Sequence, residues 1–383
     1  MLPLSALSGW LVARYSKKEK SPQESIKTLP SAYFRGLNFL LNEQSDDAID
    51  AFKSAIGTQS QSAEVQISLG NLYRRRGEIE KATQLHENLL SITKSDQGLH
   101  ALALYELAQD YQKAGVLDRA ENLYLELIDT GFQKHAACIN LLQIYEQEKD
   151  WNHAISVIDN YMTDYDESVR GRKSHYYCEL AELSITEGRF NDAREFLHQA
   201  TQSDSTNLRA IIQSARIEAA LGQHKQAMNL WKQVIEKNSL YVREVIEHIA
   251  NAYRALNDEK GLNRYLSLVI EQHKSSKAML LLTENILKSS GNQKAEEKLA
   301  GWLRKNPSIS GLRKLLEIKL NSQALNDKQK RDLVLLSRLL ESVIKSRFAY
   351  QCRQCGFSGR HFYWHCPSCR SWNSITAQRT ILG

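Results

Sequence analysis

An alanine that returns about every 34 residues constrains this chain more than any other feature. Marking one per unit gives Ala48, Ala82, Ala120, Ala154, Ala193, Ala227 and Ala295, at successive gaps of 34, 38, 34, 39, 34 and 68 residues. The last gap is two units, with Leu262 at the missing place. Twelve residues before the mark stands a compact residue: Gly36, Gly70, Ala108, Ala181, Ala215. Three further on comes an aromatic in most units: Phe39, Tyr73, Tyr111, Tyr145, Tyr253. Five before the mark lies a turn glycine in several (Gly77, Gly115, Gly188, Gly222), and four after it a bulky residue (Phe52, Tyr124, Ile158, Leu197, Trp231). Small residues let two helices approach, bulky ones fill the gap to the next unit, and glycine supplies the left-handed conformation that ends a helix.

A period near 34 built of two helices is the tetratricopeptide signature. The spacing predicts about eight repeats over residues 31–307, with four- or five-residue insertions at Ser91–Gly98 and Asp164–Gly171 lengthening loops. Over residues 308–347 the helical period continues through Leu312, Leu315, Leu316 and Leu320, then Leu333, Leu336, Leu339, Leu340 and Val343. These read as closing helices that cap the apolar end of the array and lead into a last module, residues 348–383.

That module carries Cys352-Arg-Gln-Cys355-Gly356 and Cys366-Pro367-Ser-Cys369, two C-x-x-C pairs with ten residues between them. In such a turn both sulfurs point to one centre, and two turns joined by a hairpin make a tetrahedral S4 cage that suits zinc or iron. Spacing alone does not separate the two metals. The bland readings are two disulfides or accidental pairing. His361 and His365 flank the cage, but four cysteines already complete a tetrahedron. Cys138 and Cys178 lie alone inside helical patterns and read as small core residues. Spare thiols beside a metal-ready cage point to a reducing compartment.

Only 23 of 383 residues are glycine or proline and 8% are aromatic, which favours helices over a sandwich or barrel. The net charge of +6 hides an asymmetry. Residues 301–383 hold 15 Lys/Arg against 4 Asp/Glu, a balance of +11, which leaves 35 basic and 40 acidic residues upstream. A basic end on an acidic body can meet nucleic acid, an anionic membrane or an acidic protein, or be a solvated helix face.

The chain starts with thirteen uncharged, mainly apolar residues, followed by Arg14, Lys17, Lys18 and Lys20. A bilayer span needs roughly 17–25 residues. A signal peptide is disfavoured because a basic n-region and an A-x-A site are missing. Trp10, Tyr15 and the basic cluster fit an interfacial belt with its positive side inward. Residues 1–15 are therefore expected to form an N-terminal membrane anchor, truncated at its start or weak. Residues 16–30, with Pro22 and Pro30, read as a linker.

The motif search finds no Gly-rich phosphate loop, H-E-x-x-H, G-x-S-x-G or G-x-G-x-x-G, so a non-enzymatic role is expected. The module's aromatics, from Phe348 to Trp372, alternate with Arg353, Arg360 and Arg370. That pattern suits single-stranded nucleic acid, and equally a core that shields the metal; the core is the preferred reading, with no nucleic acid expected. The first helix of each repeat lines the inner surface of such an array. Outward positions there include Asn71, Arg74, Tyr105, Gln109, Gln143, Glu146, Glu182 and Arg216, a mixed polar stripe suited to an extended peptide or a protein surface.

The order of apolar start, basic stop, tetratricopeptide repeats and terminal knuckle pair resembles the lipopolysaccharide assembly protein B (LapB/YciM) family of Gram-negative bacteria. The resemblance rests on Gly36-Leu-Asn-Phe-Leu-Leu41, Leu69-Gly-Asn-Leu-Tyr73 with Arg76-Gly-Glu78, His175-Tyr-Tyr-Cys-Glu-Leu-Ala181, and Tyr350 through Trp372. It implies an all-α fold: a tetratricopeptide-repeat superhelical solenoid with a small C-terminal rubredoxin-like metal-knuckle module. It further implies one iron ion on Cys352, Cys355, Cys366 and Cys369, and a single N-terminal anchor in the inner membrane with the rest facing the cytoplasm. Family members are expected to limit lipopolysaccharide synthesis as adaptors that promote degradation of the deacetylase LpxC by the membrane protease FtsH, under the inner-membrane sensor PbgA/YejM. The family's membrane helix is longer than the apolar stretch here, so either the start is misplaced, which predicts an in-frame upstream extension, or the anchor is weaker. Two other readings are a nucleic-acid-binding ribbon on a repeat scaffold and an iron–thiolate redox protein.

Overall fold

Helices form wherever the two-helix period places them. The computed structural model describes residues 31–57, 63–162, 167–321 and 326–378. The expected anchor and linker lie outside the described residues. The chain divides into two compact units, Met1–Glu148 and Lys149–Gly383.

The first unit holds α1 (Ser31–Leu41), α2 (Ser45–Gly57), α3 (Ala63–Arg76), α4 (Ile79–Ile92), α5 (Gln97–Ala114), α6 (Leu117–Thr130) and α7 (Lys134–Glu148). Consecutive helices pack as antiparallel hairpins, α1 on α2, α3 on α4 and α5 on α6, and each hairpin packs on the next. The second unit holds α8 (Trp151–Tyr161), α9 (Glu167–Thr186), α10 (Phe190–Ser203), α11 (Leu208–Ala220), α12 (His224–Lys237), α13 (Val242–Ala255), α14 (Glu259–His273), α15 (Ser276–Ser290) and α16 (Asn292–Leu303). There α9 pairs with α10, α11 with α12, α13 with α14 and α15 with α16. The closing helices α17 (Ile309–Leu320) and α18 (Asp327–Ser346) follow, then a three-stranded sheet. The fold is the expected one: all-α tetratricopeptide repeats with a small module of few strands.

The periodic positions are the core. All seven marked alanines, and Leu262 in the seventh repeat, are 0% exposed. Phe52, Tyr124 and Ile158 are also fully buried, with Leu197 and Trp231 nearly so. The compact positions are needed sterically. A Cβ on Gly36 would lie 2.6 Å from the Phe52 ring, and one on Gly70 would lie 2.3 Å from His86 Nε2.

Two details were not visible in the period. The turn between paired helices takes a left-handed residue in seven of the eight repeats, not only where glycine stands. Gly77, Gly115, Gly188 and Gly222 adopt φ of +75 to +83°, while Glu43, Lys149 and Asn257 take the same place at φ 60, 59 and 54°. Side chains there cost about 1–2 kcal/mol each, which the flanking helix packing overrides. The second is His86, which occupies the bulky position of its repeat. Its Nδ1 lies 2.5 Å from Asp110 Oδ2, and Arg74 bonds Asp110 Oδ1 at 2.8 Å and Glu106 Oε2 at 2.5 Å. With His86 and Asp110 both 0% exposed, this is a buried polar network inside the first unit. Removing one partner of such a pair costs about 3–5 kcal/mol, because the other charge stays buried.

The closing segment departs from expectation. Leu316 and Ile318 of α17 are buried, but α18 has no buried residue. Leu335, Leu336 and Leu339 are 60%, 48% and 56% exposed. α18 packs on α17 along one face only, so the leucine period reflects one covered face and one open face.

Candidate metal centre and its docking face

Strands β1 (Tyr350–Cys352), β2 (Ser358–Gly359) and β3 (Ile375–Ala377) form an antiparallel sheet in the order β2-β1-β3. Tyr350 pairs with Gly359 on one side and Ala377 on the other. This sheet carries the first knuckle on β1 and sets the second beside it.

Each knuckle closes by local hydrogen bonds. Gly356 donates its N–H to the Cys352 carbonyl at 3.1 Å, with φ +76°, and Arg370 repeats the bond to the Cys366 carbonyl at 2.9 Å, with φ +56°. Four sulfurs result that all lie within 4.8 Å of one another. Cys352 to Cys369 and Cys355 to Cys366 are both 3.7 Å. A disulfide would require about 2.05 Å. Metal–sulfur bonds of about 2.3 Å in a tetrahedron give sulfur–sulfur edges of ~3.8 Å. The donor set therefore fits a tetrathiolate metal.

The surroundings favour thiolates unevenly. Burial raises Cys352, but the Ser374 hydroxyl and the backbone N–H groups of Cys355 and Gln354 outweigh it and hold the thiol at about 6. The Ser371 hydroxyl lowers Cys369. Burial pushes Cys366 up to about 11, so that position becomes anionic only with help from a bound cation. Cys138 and Cys178 are fully buried, and burial raises Cys178 to about 12, as inert core thiols require.

The module does not sit at the end of the repeats. It lies against the first helices of the fifth to seventh repeats. Trp372 is sandwiched between His175 of α9, at 4.7 Å and 10°, and His365, at 4.3 Å and 18°. Its edge meets Trp151 and Tyr176, which stack on each other at 5.7 Å. Trp364 stacks on Tyr241 at 5.5 Å and 15°, with the Arg209 guanidinium 5.9 Å from its ring centre. Phe362 is set edge-on to Trp364 at 4.8 Å. Tyr350 donates its hydroxyl to Glu244 at 2.7 Å, beneath Arg243. His365 thus serves in a stack rather than in the cage. The expectation that the aromatics only shield the metal is incomplete, because Trp364 and Trp372 also bind the repeats.

Sequence reasoning missed the receiving residues Trp151, His175, Tyr176, Arg209, Tyr241 and Glu244. The run His175-Tyr-Tyr carried a signal, since three ring side chains in succession exceed what one buried helix stripe requires. His175 is 1% exposed. Burial first, then the charge of Arg209 and the neighbouring His365, pushes its imidazole down to about 3. The unfolded chain takes up this proton near pH 6.5. Stability from the neutral ring is therefore complete above that pH and falls as pH drops towards 3, by up to ~1.4 kcal/mol per pH unit. His175→Phe should flatten the pH dependence of the tryptophan-fluorescence denaturation midpoint between pH 6.5 and 4.5. An unchanged slope would contradict this account of the stack.

The polar stripe proposed for partners is half-buried or buried throughout. Asn71, Arg74, Tyr105, Gln109, Gln143 and Glu146 lie in the first unit, Glu182 and Arg216 in the second. Arg74 is committed to Glu106, Asp110 and Asn71, and Glu146 is only 4% exposed, so neither points freely outward. Tyr105 accepts from Asn140 at 3.1 Å. Glu182 accepts from Arg216 at 2.7 Å and from Gln213 at 2.8 Å.

Comparison with known proteins agrees with this architecture. A family model described as "Rubredoxin metal binding domain" matches residues 350–377, and two described as "Tetratricopeptide repeat" match residues 67–99 and 184–241. Lipopolysaccharide assembly protein B of Escherichia coli K12 is 30% identical over 383 residues, covering 100% of this chain and 98% of that protein. The protein of that name from Haemophilus influenzae is also 30% identical, covering 98% of this chain and 96% of its own length. Repeats and metal module match together and in the same order, and the chain belongs to the lipopolysaccharide assembly protein B family.

Proposed function

We propose that this chain is a non-enzymatic adaptor of the bacterial inner membrane that limits lipopolysaccharide synthesis. In this reading it brings the deacetylase LpxC to the protease FtsH under the sensor PbgA/YejM, and its four thiolates hold one iron ion. The observation that carries the reading is the full-length match, through both repeats and metal module, to relatives named for lipopolysaccharide assembly. Two features support it. A four-cysteine site leaves a metal no open position for substrate, and repeat arrays of this kind offer extended surfaces to other proteins. The anchor that would hold the chain at the membrane falls in residues 1–15. No helix among the described residues is long and apolar enough to cross a membrane.

Of the two motives for the nucleic-acid reading, the basic balance and the aromatics, the second is weakened. Trp372 has both faces stacked, on His175 and His365, and Trp364 has one face stacked on Tyr241, which leaves little aromatic surface there for bases. Depleting the protein should lengthen the half-life of the deacetylase in a pulse-chase immunoblot and raise its level several-fold. An unchanged half-life would overturn the proposal.

A further inference from the structure

Away from the cage, a cleft of about 710 Å³ opens in the second unit where three successive first helices begin. It is bounded by the starts of α13 and α15 and by the loop that leads to α17. Arg243, Lys274, Lys277 and Lys305 line it, with His273, and among the described residues no carboxylate does. Lys277 is held by an acid outside the cleft, Glu247 at 2.8 Å, and Arg243 lies over the Tyr350 ring. The α13 and α15 N-termini add partial positive charge to the same space. Trp302, Leu240 and Pro307 give it an apolar flank. The remaining wall comes from the metal module, through Ala377 and Gln378 at the end of β3. Gln378 is tied there by donating its N–H to the Ala349 carbonyl at 3.0 Å.

We propose that this cleft binds an acidic peptide segment of a partner protein, and that the metal module, as one of its walls, makes that binding depend on the cage. Charge complementarity identifies the occupant. The volume falls within the ~300–1,000 Å³ of ordinary ligand pockets, far more than one phosphate fills. The apolar flank suits carboxylates interspersed with apolar side chains. Arginine and lysine clusters recognise acidic motifs in this way. The inference rests on the adaptor reading only in taking the partner to be a protein.

The test is fluorescence anisotropy with a labelled ten-residue peptide of aspartate, glutamate and leucine, and its glutamine-substituted neutral counterpart. The full chain should bind the acidic peptide at least tenfold more tightly than the neutral one. K274E/K305E should weaken it at least tenfold with unchanged circular dichroism, and Cys355→Ser should weaken it as well. Equal binding of both peptides, or no loss in K274E/K305E, would overturn the assignment. So would tighter binding of single-stranded RNA or anionic phosphatidylglycerol vesicles than of peptide, lost in the same variant. Full binding by Cys355→Ser would overturn the dependence on the cage. Because the readout is binding in vitro, failure here leaves the adaptor reading to the deacetylase half-life.

Discussion

Replacing Cys355 by serine is expected to abolish stoichiometric metal while leaving most of the helical circular dichroism intact. Three thiolates and a hydroxyl form a poor cage for a metal whose fit depends on four sulfurs within 4.8 Å. Metal binding to such knuckles is worth roughly 10–16 kcal/mol in small structural zinc sites, and it substitutes for a hydrophobic core. Here the module's own buried hydrophobic cluster is Tyr350, Cys352, Cys366 and Ile375. Without metal it has too little apolar burial to stay ordered, whereas the repeats keep their separate cores. Metal analysis and far-ultraviolet circular dichroism on the same sample check both halves. If the ion is iron, the intact protein shows visible sulfur-to-iron charge-transfer bands that the variant lacks; a colourless protein with zinc contradicts that assignment. Full metal in Cys355→Ser would contradict the cage itself.

Trp372→Ala is the complementary case, since it removes no ligand. The indole fills the space between His175 and His365 and abuts Trp151 and Tyr176. Trp372 is half-buried, so its truncation costs less than the about 3–5 kcal/mol of a fully buried tryptophan. Each ring pair adds about 0.5–1.5 kcal/mol beyond its area. The variant should keep its metal yet lose its hold on the repeats, seen as faster hydrogen exchange in α9. Trp372→Phe should restore most of the protection. Unaltered exchange in Trp372→Ala would mean that the docking depends on other contacts, such as Trp364 on Tyr241.

The periodic core and the cage were legible because both are local. Ala48 through Ala295 report helix–helix approach inside one repeat, and C-x-x-C reports a single turn. What escaped the sequence is long-range or is overridden by packing. Tyr350 reaches Glu244 across 106 residues of chain, and no spacing rule encodes that pairing. Glu43, Lys149 and Asn257 take left-handed turns that their side chains oppose, so the glycine pattern looked incomplete. His86 looked like a gap in the bulky series until Asp110 and Arg74 closed around it. The stripe positions are less exposed than their period suggests, for a related reason. A helix period says which face Arg74 occupies, but not that Glu106 and Asp110 of the next repeat cover that face.

Hydrogen exchange on the full chain, before and after metal removal by a chelator, tests most directly whether the cage holds the module on the repeats. Loss of protection should appear in the module and also around His175 in α9 and Glu244 in α13, with α1–α6 unchanged. Protection at His175 and Glu244 that persists after the metal has gone would contradict it.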